Sequence, residues 1–419
     1  MVCTNRLAEN FHQLSMIGAQ DGGGIMRLAF SCADLEARKY IMQLMEQTGL
    51  VVRVDAFGNI IGRLEGANSD APVVMLGSHI DSVPNGGNFD GIVGVLGAIE
   101  VVQCLVETGE KNYHPIEIVV FMAEESSRFG VATLGSKAFC GELSLDNLEQ
   151  YTDKQGITIA QAMRQQDLVP ENISQARYAG DIKSFMEMHI EQGKVLETMG
   201  KQIGVVTGIT APTRLRVVIA GQADHSGATP MNMRQDALTA AAEIILMVED
   251  LARKTAHPGV VGTTGVIKAD PGVMNVIPGR VELGIDIRSI SRGSKQQVVD
   301  ELIRFIDGIK SRRGVGVEMV TISDEIPVQI SQTMIEFLND VCKQHPYPSM
   351  LMPSGAGHDS MHLAHNAPTG MVFIPCHGGI SHNPAEWASM DDIVAGTEIL
   401  LTATRKMAQK SRELGVEKL

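Results

Sequence analysis

What this 419-residue sequence lacks excludes several classes of protein. Its six cysteines, Cys3, Cys32, Cys104, Cys140, Cys342 and Cys376, show neither C-x-x-C spacing nor dense clustering, and the opening MVCTNRLAENFHQ holds no apolar signal core. That pattern predicts reduced thiols and a cytoplasmic location. No apolar stretch approaches the ~20 residues a membrane-spanning helix requires, because Gly, Glu or Asp breaks the richest runs. No run of five basic residues occurs, and 35 Lys and Arg against 49 Asp and Glu leave a net charge of −14. Nucleic acid and anionic membrane are therefore poor partners. There is no internal repeat and no low-complexity tract.

What is present is ordinary globular material, 44% hydrophobic and 20% charged, enough to bury a large core. The length exceeds the size at which single cores stop growing, so two domains are expected, one of them discontinuous. Helical spacing from Ser31 to Leu50 feeds the β-branched run Val51 to Val54. The turn Phe57-Gly58-Asn59 and the run Ile60 to Leu64 then predict a hairpin at a sheet edge. Near-continuous apolar runs at Val73 to Leu76, Ile116 to Met122 and Ile203 to Val206 fit buried strands covered by helices such as Gly94 to Glu107. The texture changes near Thr207 to Ala211. Strands at Arg214 to Ala220 and Val281 to Ile287 then alternate with helices at Asp236 to Lys254 and Ser294 to Lys310, closing near Val320 to Ile326. After Ser331 the first texture returns, with helix Thr333 to Cys342, strand Met371 to Pro375 and helix Met390 to Ala408. The expected fold is α/β with a mainly parallel central sheet. A catalytic domain of residues 1–209 and 328–419 is interrupted by a smaller α+β domain of residues 210–327.

The residues that suggest chemistry stand where strands end. The run Val73 to Leu76 leads into Gly77-Ser78-His79-Ile80-Asp81, and Asp90 follows His79 by eleven residues within Gly86-Gly87-Asn88-Phe89-Asp90-Gly91. Ile116 to Met122 leads into Glu124-Glu125. His189 stands in His189-Ile190-Glu191-Gln192-Gly193, and His382 in Gly379-Ile380-Ser381-His382-Asn383-Pro384. Each has an ordinary reading: a surface pair, a solvated acid, a satisfied core histidine. Together they gather imidazoles and carboxylates at the carboxyl ends of strands, where open α/β sheets bind ligands, and no other feature of the chain accounts for that. Metal is the reading that unites them.

These segments resemble, in order and over nearly the whole chain, the M20 family of metallopeptidases and amidohydrolases. The His-Ile-Glu-Gln-Gly form is similar to its N-carbamoyl-L-amino acid hydrolase, β-ureidopropionase and allantoate amidohydrolase branch. The resemblance implies that Asp90 bridges two divalent ions, with His79 and His189 completing one site and Glu125 and His382 the other. It makes Asp81 the residue that orients His79, and Glu124 the general base beside the bridging water. Nitrogen and oxygen ligands without thiolate suit Zn, Mn, Co or Ni.

Other residues would read the substrate. The loop Gly221 to Pro230 resembles the family's lid motif, which implies a homodimer in which His225 crosses to the partner's substrate carbonyl. Asn275 and Arg288 suit a carboxylate, since a guanidinium fork and an amide can orient it, although Arg288 also has an acid neighbour in Asp286. Gln192 and the loop Gly355-Ala356-Gly357 with His358 would meet the ureido end. Cys376 and His377, adjacent on an extended segment, point opposite ways and do not form a nucleophile and base pair. The implied activity is hydrolysis of a carbamoyl or ureido C–N bond in a small carboxylate, with aminoacylase or dipeptidase as the alternative. A phosphoester hydrolase is disfavoured because no G-x-x-x-x-G-K-[ST] loop or arginine cluster is present. A metal-binding scaffold is disfavoured because Glu124 has no ligand role in this scheme.

Overall fold

The structure is a computed structural model that describes residues 1–254 and 259–410. The chain divides into two compact units, Met1–Thr207 with Ile330–Leu419, and Gly208–Gln329.

In the first unit, the apolar runs become strands buried along their whole length: Val73–His79, Ile116–Phe121 and Thr369–Ile374. Strand Ile182–Ile190 joins them although it carries Ser184, Glu187 and His189. The centre of the sheet runs Ile116–Phe121, Val73–His79, Ile182–Ile190, Thr369–Ile374, all parallel. Antiparallel strands flank it: the hairpin Val51–Val54 with Ile60–Leu64 on one side and Ile203–Ile209 on the other. Burial of the parallel strands needs cover. Helices Ile92–Thr108 and Met390–Ala408 pack on each other and on these strands. Elsewhere on the sheet, Val73, Met75, Val119, Phe121 and Phe185 meet Phe139 and Leu363 in one cluster. Each buried Val, Leu, Ile or Phe contributes about 1.5–3 kcal/mol relative to exposure, so these strands are held firmly.

Register then sets the chemistry. His79 lies opposite Phe121 and His189 opposite Phe373, so the four parallel strands finish side by side. Everything that follows their last residues, including Glu124, Glu125 and the loop to His382, starts from one edge of the sheet.

The second unit is an antiparallel sheet in the order Gly316–Asp324, Ala211–Ala220, Arg280–Ser289, Val261–Asp270. Helices Ala237–Arg253 and Arg292–Arg313 pack together and against it. Strand Arg280–Ser289 alternates buried and partly exposed residues, the signature of a sheet with a single apolar face. Leu215, Val217, Ile219, Leu283, Ile285, Ile244 and Leu302 belong to its core. Both helices start at side-chain caps: Asp236 accepts from the N–H of Leu238 and Thr239, and Ser291 from that of Ser294. Among the described residues no helix is long and apolar enough to cross a membrane.

Candidate metal centre

The five residues expected as ligands converge at the carboxyl ends of the parallel strands. Asp90 is the hub. Its Oδ1 lies 3.0 Å from His189 Nε2 and 4.0 Å from His79 Nε2, while its Oδ2 lies 3.0 Å from His382 Nε2. His382 Nε2 is also 3.2 Å from Glu125 Oε1. One carboxylate therefore turns one oxygen to each of two groups that could hold a metal ion: His79, Asp90 and His189, and Asp90, Glu125 and His382.

The inner imidazoles are aimed by the backbone. His79 Nδ1 lies 3.1 Å from the Asp81 carbonyl and His189 Nδ1 2.9 Å from the Ile190 carbonyl, so each Nδ1–H is held by the backbone and each Nε2, the atom through which the ring would bind a metal ion, faces Asp90. Both rings are almost wholly buried, whereas the His382 side chain is 49% exposed. Gly91 is required here: a Cβ there would lie 2.5 Å from His79 Nε2, and its φ of +70° is left-handed. Ala123, Gln192 and His382 also have positive φ, between 54° and 58°, strain that gathers at sites whose surroundings over-determine the backbone.

Asp81 does more than orient His79. Its carboxylate is 3.5 Å from His79 Nδ1, farther than its own carbonyl, and it accepts the backbone N–H of Glu124 at 3.1 Å and of Glu125 at 3.0 Å. It fixes the peptide that presents both acids. Glu124 is buried, with Oε2 3.8 Å from His79 Nε2, and is absent from both candidate ligand groups.

The electrostatics follow from crowding carboxylates and imidazoles out of water. Burial opposes charge on His79, but Glu124, Asp81 and Asp90 outweigh it and lift its pKa well above the ordinary value. Burial also works against ionised Asp90, yet hydrogen bonds from His189 and His382 hold it well below the usual carboxylate range. Burial pushes Glu124 well up, aided by Glu125, Asp359 and Asp81 against the pull of His79. His382, hydrogen-bonded to Asp90 and Glu125, is raised to about 11. A cluster that draws protons so strongly onto imidazoles suits cations in their place, and its nitrogen and oxygen donors fit divalent metals.

A third group, Glu187, His189 and His358, has the same compactness. Its valences are already used: Glu187 accepts from Ser78 Oγ, Ser360 Oγ and the Ser360 N–H, and His358 Nε2 pairs with Ser354 Oγ at 2.8 Å. It is interior scaffolding. His358, which follows Gly355, Ala356 and Gly357, packs edge-on to His189 with ring centroids 4.5 Å apart.

Gln192 sits among the ligands, donating from Nε2 to Asp90 Oδ2 at 2.9 Å and lying 3.2 Å from His382 Nε2. Its Oε1 is buried with no hydrogen-bond partner among the described residues. Cys376 donates to the Ile380 carbonyl and burial lifts its thiol pKa to about 12, while the exposed His377 pairs with Glu197 at 3.0 Å; the two do not form a nucleophile. The sequence analysis does not single out Glu386, a buried acid four residues beyond His382 that accepts hydrogen bonds from the Asp90 loop; its place two residues after the Ser-His-Asn-Pro segment is the available signal.

His225, Asn275 and Arg288 belong to the second unit. There His225 pairs in a short ribbon with Val276, and the Asn275 carbonyl accepts the Ser226 N–H, so the two loops are joined. His225 is exposed, and its Nδ1 accepts the N–H of Gly227 at 3.0 Å and of Ala228 at 3.1 Å. With Nδ1 occupied as an acceptor, the ring's donor is Nε2–H. Arg288 pairs with Asp286 through Nε at 2.8 Å and Nη2 at 3.2 Å, and Arg214 reaches the same carboxylate.

Known proteins resemble this chain over nearly its whole length. The chain is 42% identical over 410 residues, 98% of its length and 100% of the relative's, to an N-carbamoyl-L-amino acid amidohydrolase of Geobacillus stearothermophilus. It is 34% identical to an allantoate amidohydrolase of Bacillus subtilis, covering 96% of this chain and 98% of that one. Its structure matches a crystallographic amidase of the hydantoinase/carbamoylase family from Burkholderia multivorans with a TM-score of 0.92 and 35% identity, covering 98% and 99% of the two chains. Residues 75–406 match peptidase family M20/M25/M40, and with full-length relatives at this identity the protein belongs to that family.

Proposed function

We propose that the protein hydrolyses a carbamoyl or ureido C–N bond in a small carboxylate substrate, an N-carbamoyl-L-amino acid or allantoate. The observation that carries this reading is Asp90, with one oxygen toward His189 and His79 and the other toward His382. Two divalent ions held by His79, Asp90 and His189 and by Asp90, Glu125 and His382 would supply Lewis-acid activation of water and of the scissile carbonyl. Relatives named for carbamoyl and ureido substrates support the choice of bond.

The chain's own residues supply the rest. Glu124, gripped through its N–H by Asp81 and with Oε2 3.8 Å from His79 Nε2, would act as general base. It takes a proton from water as the water oxygen bonds to the carbamoyl carbon, and returns that proton to the leaving nitrogen as the C–N bond breaks. The carbamate that remains loses CO2. Gln192 Oε1, an acceptor without a hydrogen-bond partner among the described residues, suits a ureido N–H, because an unmet buried acceptor costs about 1–3 kcal/mol. His225 offers an Nε2–H donor suited to a carbonyl becoming an oxyanion. Arg288 and Asn275 suit the substrate carboxylate.

The second unit is proposed as a lid and dimerisation domain. Its edge strand Val261–Asp270 leaves Val261, Val266 and Ile267 exposed at 56%, 43% and 53%. An unpaired edge strand can pair with another strand, and a second copy of the chain offers the same edge. His225 would then act in a partner's site.

The test is a panel of N-carbamoyl-L-amino acids, β-ureidopropionate, allantoate, N-acetyl amino acids and dipeptides, assayed for ammonia and amine release. Chelated enzyme should be inactive and recover with Zn, Mn, Co or Ni. Turnover of N-acetyl amino acids or dipeptides in preference to every carbamoyl and ureido compound would replace this reading with aminoacylase or dipeptidase.

A further inference from the structure

We infer that Glu386 is a positioning residue that sets the outer cation site by tying the Asp90 loop to the His382 loop, an inference that rests on the two-ion reading above. Glu386 is 5% exposed. Its Oε1 accepts the N–H of Phe89 at 2.9 Å and of Asp90 at 3.1 Å, and its Oε2 accepts Ser381 Oγ–H at 2.8 Å. One carboxylate thus holds the peptide that carries the bridging ligand and the residue just before the outer histidine, across 296 residues of sequence. The fit is close: a Cβ at Gly87 would overlap the Glu386 carboxylate. The Asp90 loop is pinned at its other end by Gly86, which exchanges both backbone hydrogen bonds with Ile25.

The two cation sites need this tie unequally. His79 and His189 are buried and oriented by backbone carbonyls, and Asp90 Oδ1 lies 3.0 Å from His189 Nε2, so the inner donors have constraints of their own. His382 has a half-exposed side chain on a backbone with φ of +54°. Such a conformation persists only where its surroundings impose it, and the bond from Ser381 to Glu386 is one of the constraints doing so. Residues that orient metal ligands typically govern affinity by ~10–100-fold. Loss of Glu386 should therefore weaken the outer site and largely spare the inner one.

Titration of the full-length apoprotein with Co2+, followed by its visible absorption against a competing chelator, tests this. Wild type should take up two equivalents; uptake of only one would defeat the two-ion reading itself. Glu386→Ala should bind the first equivalent within a few-fold of wild type and the second ~10–100-fold more weakly. Glu386→Gln, which keeps an acceptor for the two N–H groups, should recover part of the second affinity. Two equivalents at wild-type affinity in Glu386→Ala, or equal weakening of both, would overturn the inference. If circular dichroism finds Glu386→Ala unfolded, Ser381→Ala decides: a weakened second equivalent supports the tie, and an unchanged one overturns it.

Discussion

The residues of the first unit and those of the second present opposite pictures. His79, His189, Asp81 and Glu124 are buried, bonded to neighbours and arranged before any ligand arrives. His225 and Asn275 are exposed, and Arg288 is engaged by Asp286. A buried polar cluster is costly unless its members complete one another, so its geometry reports its chemistry. Exposed groups carry no such constraint. Their chemistry depends on what comes to them, and their geometry alone does not reveal it.

The largest expected effect falls on the hub of the buried set. Asp90→Ala should bind neither ion and lose all measurable turnover, because both donor groups share that carboxylate; metal analysis of the purified variant checks this, and one tightly held ion would contradict the bridge. Glu124→Gln should keep both ions and lose ~10²–10⁴-fold in rate, the usual worth of a positioned acid or base. Loss of metal in that variant would move Glu124 among the ligands. Asp81→Ala removes the acceptor for two N–H groups and should weaken metal binding ~10–100-fold, read by chelator competition. The smallest effect belongs to the second unit. Arg288→Ala should raise KM ~10-fold or more, the loss of a charge-assisted hydrogen bond worth about 1.5–3 kcal/mol, with little change in kcat. A collapse of kcat would show that the arginine serves more than binding.

The same contrast explains what could be read from the sequence. Strands Val73–His79, Ile116–Phe121 and Thr369–Ile374 announce themselves because burial on both faces leaves near-continuous apolar runs. Helix Met390–Ala408 is marked by its cap at Ser389, whose side chain accepts the Asp392 N–H. Strand Ile182–Ile190 is harder to recognise. Its buried Glu187 is satisfied by Ser78 and Ser360, partners no local window contains. The opening helix Thr4–Met16 went unpredicted although Leu7, Phe11 and Leu14 recur at helical spacing. Within the site, the ligand-type residues stand out by chemistry and by their place after strands. The backbone grip of Asp81 on Glu124 and Glu125 and the reach of Glu386 to Phe89 and Asp90 are products of folding.

In the proposed dimer the buried centre of one chain would work with the exposed His225 of another. This is tested most directly by mixing two inactive variants, Glu124→Gln and His225→Ala, under conditions where subunits exchange. One site of the mixed dimer then joins an intact metal centre to an intact partner histidine, and ammonia release should return toward a quarter of the wild-type rate. Roughly half the dimers would be mixed, each with one working site of two. No recovery with exchange verified by mass, or full turnover by an enforced monomer, would contradict the account.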